Sequence, residues 1–351
     1  MKKQLTIIGT VGVPACYGGF ETLVENLLTA NLIEEYDVEI VCSTKAYENQ
    51  LTSYKGAKLT YVPLNANGVS SIAYDIFSLF RAIIKRREKV LLLGVSGAIV
   101  LPIIRLFSNT KIICNIDGLE WRREKWGGPA KAFLKLSERI AVYWSHRVIA
   151  DNDAIAKHIL DSYNKVSSVI AYGGDHAVTG RLAETKENYF LTLCRIEPEN
   201  NVQMILEAFA KKKDQRLMFI GNWDNSEFGR KMKETYKGYR NIDLINPIYD
   251  LDELFEIRNK AKGYVHGHSA GGTNPSLVEM MFFNLDIMCF DCNYNRASTA
   301  NEAVYFNDSQ SLIDLLECNF DSTSPKLIKI ANEKYRWSII QSQYNELINN
   351  S

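Results

Sequence analysis

Twice along its 351 residues the chain runs through the same rhythm, a short apolar strand-like stretch followed by an amphipathic helical one. The first run opens with LTIIGT. It continues through DVEIVCS (37–43), AKLTYVPL (57–64), SSIAYDIFSLFRAIIKRRE (70–88), VLLLGV, TKIICNID (110–117), PAKAFLKLSERIAVYWSH (129–146), RVIAD and VSSVIAYGG. Such alternation predicts a parallel sheet covered by helices, and strands as uniformly apolar as VLLLGV predict burial on both faces. The stretch YGGDHAVTGRLAETKENYF (172–190) is polar and aperiodic, and it reads as a linker. The rhythm then restarts with YFLTLCR and runs through QRLMFIGN, NIDLINPI, KGYVHGHS and LDIMCFD. The expected fold is therefore α/β with two Rossmann-like domains, residues 1–172 and 189–325. A linker (173–188) joins them, and C-terminal helices (326–351) follow. Ligands of such sheets sit at the carboxyl ends of the strands, so an interdomain cleft is the expected place for the glycine-rich loops to meet.

The totals exclude several classes. Lys+Arg and Asp+Glu are both 41, and a zero net charge argues against a nucleic-acid partner. Seven scattered cysteines, an odd number in mostly apolar runs, read as free thiols of a reducing cytoplasm. CFDC (289–292) is a lone C-x-x-C without the second pair that a zinc site needs. The start, MKKQLTIIGT, is a first strand and not a signal peptide. VLLLGVSGAIVLPII (90–104) is too short for a membrane span and is broken by glycines and a proline.

Four constellations could carry chemistry. GTVGVPACYGGFETLVENLL (9–28) is strand, glycine loop and helix, an arrangement that attracts phosphate. It is neither a Walker loop nor G-x-G-x-x-G. Either it is a tight connection, or a ligand approaches the backbone at Gly18 and Gly19. Glu21 and Glu25 in the first turns suit the helix dipole. CRIEPENN (194–201) puts Arg195 at a strand end, where a guanidinium suits a diphosphate unless Glu197 or Glu199 claims it. HGHSAGGTNPSLVEMM (266–281) is a second glycine loop before a helix start. It brings His268, Gly271, Gly272, Thr273, Asn274 and Ser276 beside Glu279, which needs a partner if buried. His266 reads as a core histidine. NIDGLEWRREKWGG (115–128) sets Asp117 and Glu120 at a strand end. Trp121 and Trp126 there either face a sugar or headgroup with Arg122, or fold back as packing.

Together, GVPACYGGFETLVENL, DGLEWRREKWGG, CRIEPENN and GHSAGGTNPSLVEMM resemble the bacterial rhamnosyltransferases of capsule and cell-wall polysaccharide synthesis. These are retaining glycosyltransferases with two facing Rossmann-like domains, the GT-B fold. The resemblance spans nearly the whole chain. It implies transfer of a hexosyl group, L-rhamnose from dTDP-rhamnose, to a lipid-diphosphate-linked saccharide by a cytoplasmic enzyme peripheral to the inner membrane face. It implies Asp117 and Arg195 at the reacting centre. Donor contacts would come from Gly18, Gly19, Arg195, His268, Gly271, Gly272, Thr273, Asn274, Ser276 and Glu279, with Glu279 on the ribose. Tyr17, Glu120, Trp121 and Arg122 would stand on the acceptor side. Two positions depart from the wider pattern. Gly271 stands where a Glu-x7-Glu motif begins, and Asn200 where a phosphate-binding Lys is common. No Asp-x-Asp motif stands at a strand end, so neither a metal nor another cofactor is expected. A nucleotide-sugar epimerase or hydrolase of the same plan, and a non-catalytic nucleotide-sugar-binding subunit, are the competing readings.

Overall fold

The computed structural model describes residues 2–16, 18–123, 126–318 and 320–351. The chain divides into two compact units, Met1–Tyr172 with Ser338–Ser351, and Gly173–Trp337.

The strands of the first unit are β1 (Lys3–Ile8), β2 (Tyr36–Ser43), β3 (Ser53–Tyr54), β4 (Ala57–Val62), β5 (Lys89–Leu93), β6 (Lys111–Asn115), β7 (Arg147–Ala150) and β8 (Ser168–Val169). They form one sheet in the order β3-β4-β2-β1-β5-β6-β7-β8. Every pairing is parallel except the β3–β4 hairpin. Helices α1 (Gly19–Leu27), α2 (Ala30–Glu35), α3 (Ser70–Ile84), α4 (Leu101–Phe107), α5 (Gly128–Trp144) and α6 (Asp153–Tyr163) make the connections. The continuous apolar runs are buried on both faces as their composition requires: all five residues of β5 are buried.

The second unit contains β9 (Phe190–Leu193), β10 (Leu217–Ile220), β11 (Ile242–Ile245), β12 (Gly263–His266), β13 (Asp286–Phe290) and β14 (Val304–Phe306), in the all-parallel order β11-β10-β9-β12-β13-β14. Its helices are α7 (Val202–Lys211), α8 (Glu227–Tyr236), α9 (Leu251–Lys260), α10 (Pro275–Met280), α11 (Asn293–Ser298), α12 (Ser309–Glu317) and α13 (Ser324–Lys334). Ile205, Phe209, Phe219 and Trp223 anchor its core.

The C-terminal helices, expected as a segment of their own, are instead divided. Helix α13 stays in the second unit, and α14 (Trp337–Asn349) carries the chain back to the first. The start of the expected linker is packed too. A Cβ on Gly173 would stand 2.4 Å from the Trp337 indole, and one on Gly174 2.7 Å from the carbonyl of Val278.

Each sheet reverses its strand order once, between β1 and β5 and between β9 and β12, and such a switch point opens a crevice at the carboxyl ends of the strands. The first glycine loop leaves β1 at its switch point. Gly9 has φ +95°, and a Cβ there would stand 1.9 Å from the carbonyl oxygen of Leu93 at the end of β5. Gly12 has φ +137°, and a Cβ there would stand 2.7 Å from Cys42 Sγ. These two glycines are thus demanded by the chain itself. Gly9→Ala is expected to destabilise the protein by more than about 3 kcal/mol in urea unfolding, because the carbonyl it strikes belongs to a buried strand. Gly18→Ala, at a negative φ and with only the end of the Glu21 side chain nearby, should stay within about 1 kcal/mol of wild type.

Candidate functional site

At the second switch point, two loops leave adjacent strands and are stitched together. The loop after β9 runs from Cys194 to Asn201, and the loop after β12 from Gly267 to Asn274. Asn200, 4% exposed, donates from Nδ2 to the carbonyl of Arg195 at 2.7 Å and places Oδ1 2.7 Å from Nδ1 of His268. With the amide so oriented, His268 carries its proton on Nδ1. Ser269 donates from both N and Oγ to the Glu199 carbonyl, at 2.9 and 2.8 Å, and Asn201 donates to the Gly267 carbonyl at 2.8 Å. The backbones come so close that a Cβ on Gly267 would lie 2.1 Å from the Asn200 carbonyl oxygen. From the other flank, Asn295 donates to the His268 carbonyl at 2.8 Å, and Cys292 of the C-x-x-C pair approaches it at 3.7 Å.

This scaffold holds Arg195 outward. Its carbonyl is fixed by Asn200 and by the Glu197 N–H, while its side chain is 45% exposed and only 4.0 Å from Glu197. An ion pair that long and that exposed contributes little, so the guanidinium remains available to an anion. Gly271, at φ +110°, keeps the space beside Nε2 of His268 clear, since a Cβ would stand 3.3 Å away. Gly272 and Thr273 are buried next to it. Asn274 caps α10, its Oδ1 accepting from the Ser276 N–H at 3.0 Å. This changes one expectation. Of the amides from Thr273 to Ser276, that of Ser276 is already taken by the cap.

Glu279 has its partners within the second unit. Arg258, 3% exposed, donates to Oε2, and His176 Nε2 lies 3.5 Å from Oε1. Trp337 donates its indole N–H to His176 Nδ1 at 2.9 Å, which leaves the neutral ring's proton on the nitrogen facing Glu279. A ribose at Glu279 would share a carboxylate already held by the Arg258 guanidinium and faced by the His176 ring. Sequence reading missed both partners. Arg258 stands in register with the buried Leu254 and Phe255 on one face of α9, an irregularity that could have marked it. His176 was hidden in the supposed linker.

In the first unit, Glu21 and Glu25 are loop anchors more than dipole partners. Glu21, 4% exposed, accepts from Thr10 Oγ1 at 2.8 Å and from the Val11 N–H at 2.7 Å. Glu25 accepts from the Ala15 N–H and the Tyr54 hydroxyl, both at 2.7 Å. Gly18 caps α1 and Gly19 begins it. A Cβ on Gly18 would come 3.1 Å from Glu21 Oε2, so a bulky residue there would also disturb the loop's anchor. Tyr17 lies outside the described residues.

Asp117, just beyond β6, adopts φ +59°, unusual for a residue with a side chain. Its N–H donates to Asn115 Oδ1 at 2.9 Å, and Asn115 donates to the Tyr344 hydroxyl of α14 at 2.8 Å. Both tryptophans of the neighbouring motif fold back. Trp121 donates to the buried Glu138 at 2.8 Å, with Arg122 and Lys135 at its ring, and Trp126 donates to Glu120 at 3.0 Å. Glu120 also pairs with Arg123 at 3.0 Å. The geometry thus favours the packing alternative for this loop. Among the described residues, no group of three or more His, Cys, Asp and Glu side chains stands together as a metal site.

Residues 2–175 match a domain of unknown function, DUF1972, and residues 179–317 match the family described as Glycosyl transferases group 1. The fold is shared with sucrose-phosphate synthase from Thermosynechococcus elongatus (TM-score 0.81, 11% identity, 99% of each chain covered). It is shared too with Anabaena HepE solved with UDP-glucose (TM-score 0.74, 10% identity, 100% of each chain). A putative UDP-N-acetylglucosamine 2-epimerase from Listeria monocytogenes also matches (TM-score 0.61, 12% identity, 99% of this chain and 96% of that one). No curated protein matches the chain. The fold is therefore GT-B, with the match to the group 1 glycosyl transferases in the second unit and the DUF1972 match over the first.

Two outcomes follow from this geometry. Asn200→Lys, which would restore the common cation, is expected to cost about 2 kcal/mol or more in urea unfolding and to leave nucleotide-sugar affinity no higher. A buried bridge between two loops is lost, and an unpaired charge takes its place. His266 at the end of β12 is 2% exposed, and burial holds its imidazole down at about 3. The unfolded chain takes up this proton near pH 6.5, so His266 should erode stability as pH falls from there toward 3. NMR should show its ring resonances unchanged between pH 8 and pH 5.

Proposed function

We propose that the protein transfers a hexosyl group, L-rhamnose from dTDP-rhamnose, with retention, to a lipid-diphosphate-linked saccharide in bacterial polysaccharide synthesis. The observation that carries the reading is the stitched pair of loops at the second switch point, which presents the Arg195 guanidinium at the strand ends of a group 1 glycosyltransferase domain. The sugar and the acceptor class rest on the motif resemblance.

In the reaction, an acceptor hydroxyl oxygen bonds to the anomeric carbon. The bond from that carbon to the diphosphate oxygen breaks, and the nucleoside diphosphate leaves with the electron pair. Charge accumulates on the leaving diphosphate, and Arg195 stabilises it there. Asn200 gives no charge of its own. It holds the backbone from which Arg195 projects, so a single cation carries a task the wider pattern divides between two. His268 and Asn274 recognise the sugar in place of the carboxylate missing at Gly271. Retention without a protein nucleophile implies attack on the same face, with the leaving phosphate accepting the hydroxyl proton. The motif resemblance gives Asp117 a part in the reaction.

The test incubates the protein with a panel of nucleotide sugars and a water-soluble lipid-diphosphate saccharide analogue, read by mass spectrometry. The expected result is one added deoxyhexose from dTDP-rhamnose, with Arg195→Ala slowed at least about a hundredfold. Donor consumed without acceptor would favour the epimerase or hydrolase reading. Donor-induced thermal stabilisation without turnover would favour a binding subunit.

A further inference from the structure

Helix α3 is apolar on two sides. Tyr74, Leu79 and Ala82 are buried beside Asp75 and Ser78, while Val69, Phe77, Phe80 and Ile84 face outward, at 68, 51, 37 and 81% exposure. The spacing of the outward positions, with Ala73 completing it, follows one face along the whole helix, about 22 Å. Helix α4 likewise buries Leu101 and Ile104 and still leaves apolar residues outside. Ile103, Leu106 and Phe107 are 49, 73 and 81% exposed. The crossovers that α3, α4 and α5 make all step in the same direction across the sheet, so right-handed connection puts these helices on one side of it. The turn into α4 also packs on α3, since a Cβ on Gly97 would lie 2.5 Å from Cβ of Asp75. The result is one broad apolar face, beyond what scattered exposed side chains explain.

Its charge tells what covers it. Residues 69–147 hold fourteen Lys and Arg against six Asp and Glu, in a chain that totals 41 of each. Two of the six acids, Asp75 and Glu138, and two of the fourteen bases, Arg87 and Lys89, are buried. Exposed Lys85 and Arg86 end α3, and exposed Arg105 and Lys111 flank the end of α4, with Glu88 the one exposed acid between them. Trp144 at the end of α5 is 39% exposed. A second copy of the chain is disfavoured, because a two-fold contact would set this cationic face against itself. Apolar residues interspersed with cations match the boundary between acyl chains and anionic headgroups. Among the described residues no helix is long and apolar enough to cross a membrane.

We propose that the α3–α4 face seats the first unit on an anionic lipid bilayer, with Phe77, Ile84, Leu106 and Phe107 entering the acyl boundary and Lys85, Arg86 and Arg105 meeting the headgroups. The proposal draws on the lipid-linked acceptor of the preceding section only for its use, since the face itself is read from exposure and charge. The sequence offers the charged end of helix 70–88 for such a contact, beside the Trp121–Trp126 loop and Phe133 with Leu134.

The experiment is co-sedimentation of the full chain with phosphatidylcholine vesicles, with and without phosphatidylglycerol. Wild type should bind the anionic vesicles, and bind them less as salt rises. L106S/F107S and K85E/R86E should each weaken binding at least about tenfold. Leu106, Phe107 and Arg86 are exposed, so the melting temperatures of L106S/F107S and of the single R86E should stay close to wild type, whereas K85E/R86E also loses the Lys85 pair with the buried Glu39 at 3.6 Å. Absence of binding to anionic vesicles, or binding by both variants as strong as that of wild type, overturns the proposal. So does a wild-type dimer in light scattering that L106S/F107S dissolves, which would assign the face to self-association. Sugar transfer to the water-soluble acceptor should be unchanged in both variants. If no transfer occurs while wild type still binds vesicles, the functional reading fails and the membrane face stands.

Discussion

The amide of Asn200 donates to one loop and accepts from another, and the ligand-facing features of the second unit depend on that bridge. Parallel strands align their carboxyl ends, but nothing in a sheet forces the loops beyond them into one arrangement. Here an asparagine, a serine and a glycine without room for a Cβ lock two loops from either side of the switch point. The guanidinium of Arg195 is then aimed by its own backbone, with a distant and weak claim from Glu197. A buried neutral amide suits this better than a lysine, because an ammonium would have to be desolvated to reach the same carbonyl.

The fold was legible because its signal is periodic. Strand runs buried on both faces and two cycles of β-α alternation point to two parallel sheets whatever the tertiary detail. The site was legible in part, at positions where backbone geometry limits the residue type. Glycines marked both switch points, and Arg195 followed its strand. Their reasons were less visible. Gly9 and Gly12 yield to Leu93 and Cys42, residues 84 and 30 positions further on and remote in sequence. Glu279 finds Arg258 and His176 only once α9 and the Asp175–Ala177 turn have packed. The two tryptophans could equally have faced out or in, and Glu138 and Glu120 decided it.

Helix α3 shows a further limit of pattern reading. Its periodicity identifies a helix correctly, yet Phe77, Phe80 and Ile84 stay exposed while Asp75 and Ser78 are buried with Tyr74, Leu79 and Ala82. Amphipathicity gives the direction of an apolar face, and it does not give the medium on the far side. Gly97 shows why the polar face can be buried: its missing side chain lets the turn before α4 settle on Asp75.

The return of the chain through α14 has a consequence for how the protein is made. Asn115, which holds the Asp117 amide, relies on Tyr344, 229 residues away, and Lys89 reaches the carbonyls at the end of the same helix. The first sheet is synthesised early, but it lacks this partner until the whole second unit has emerged from the ribosome. The nascent first unit therefore waits with a polar gap beneath its strand ends. The unit that begins first is the one that finishes last.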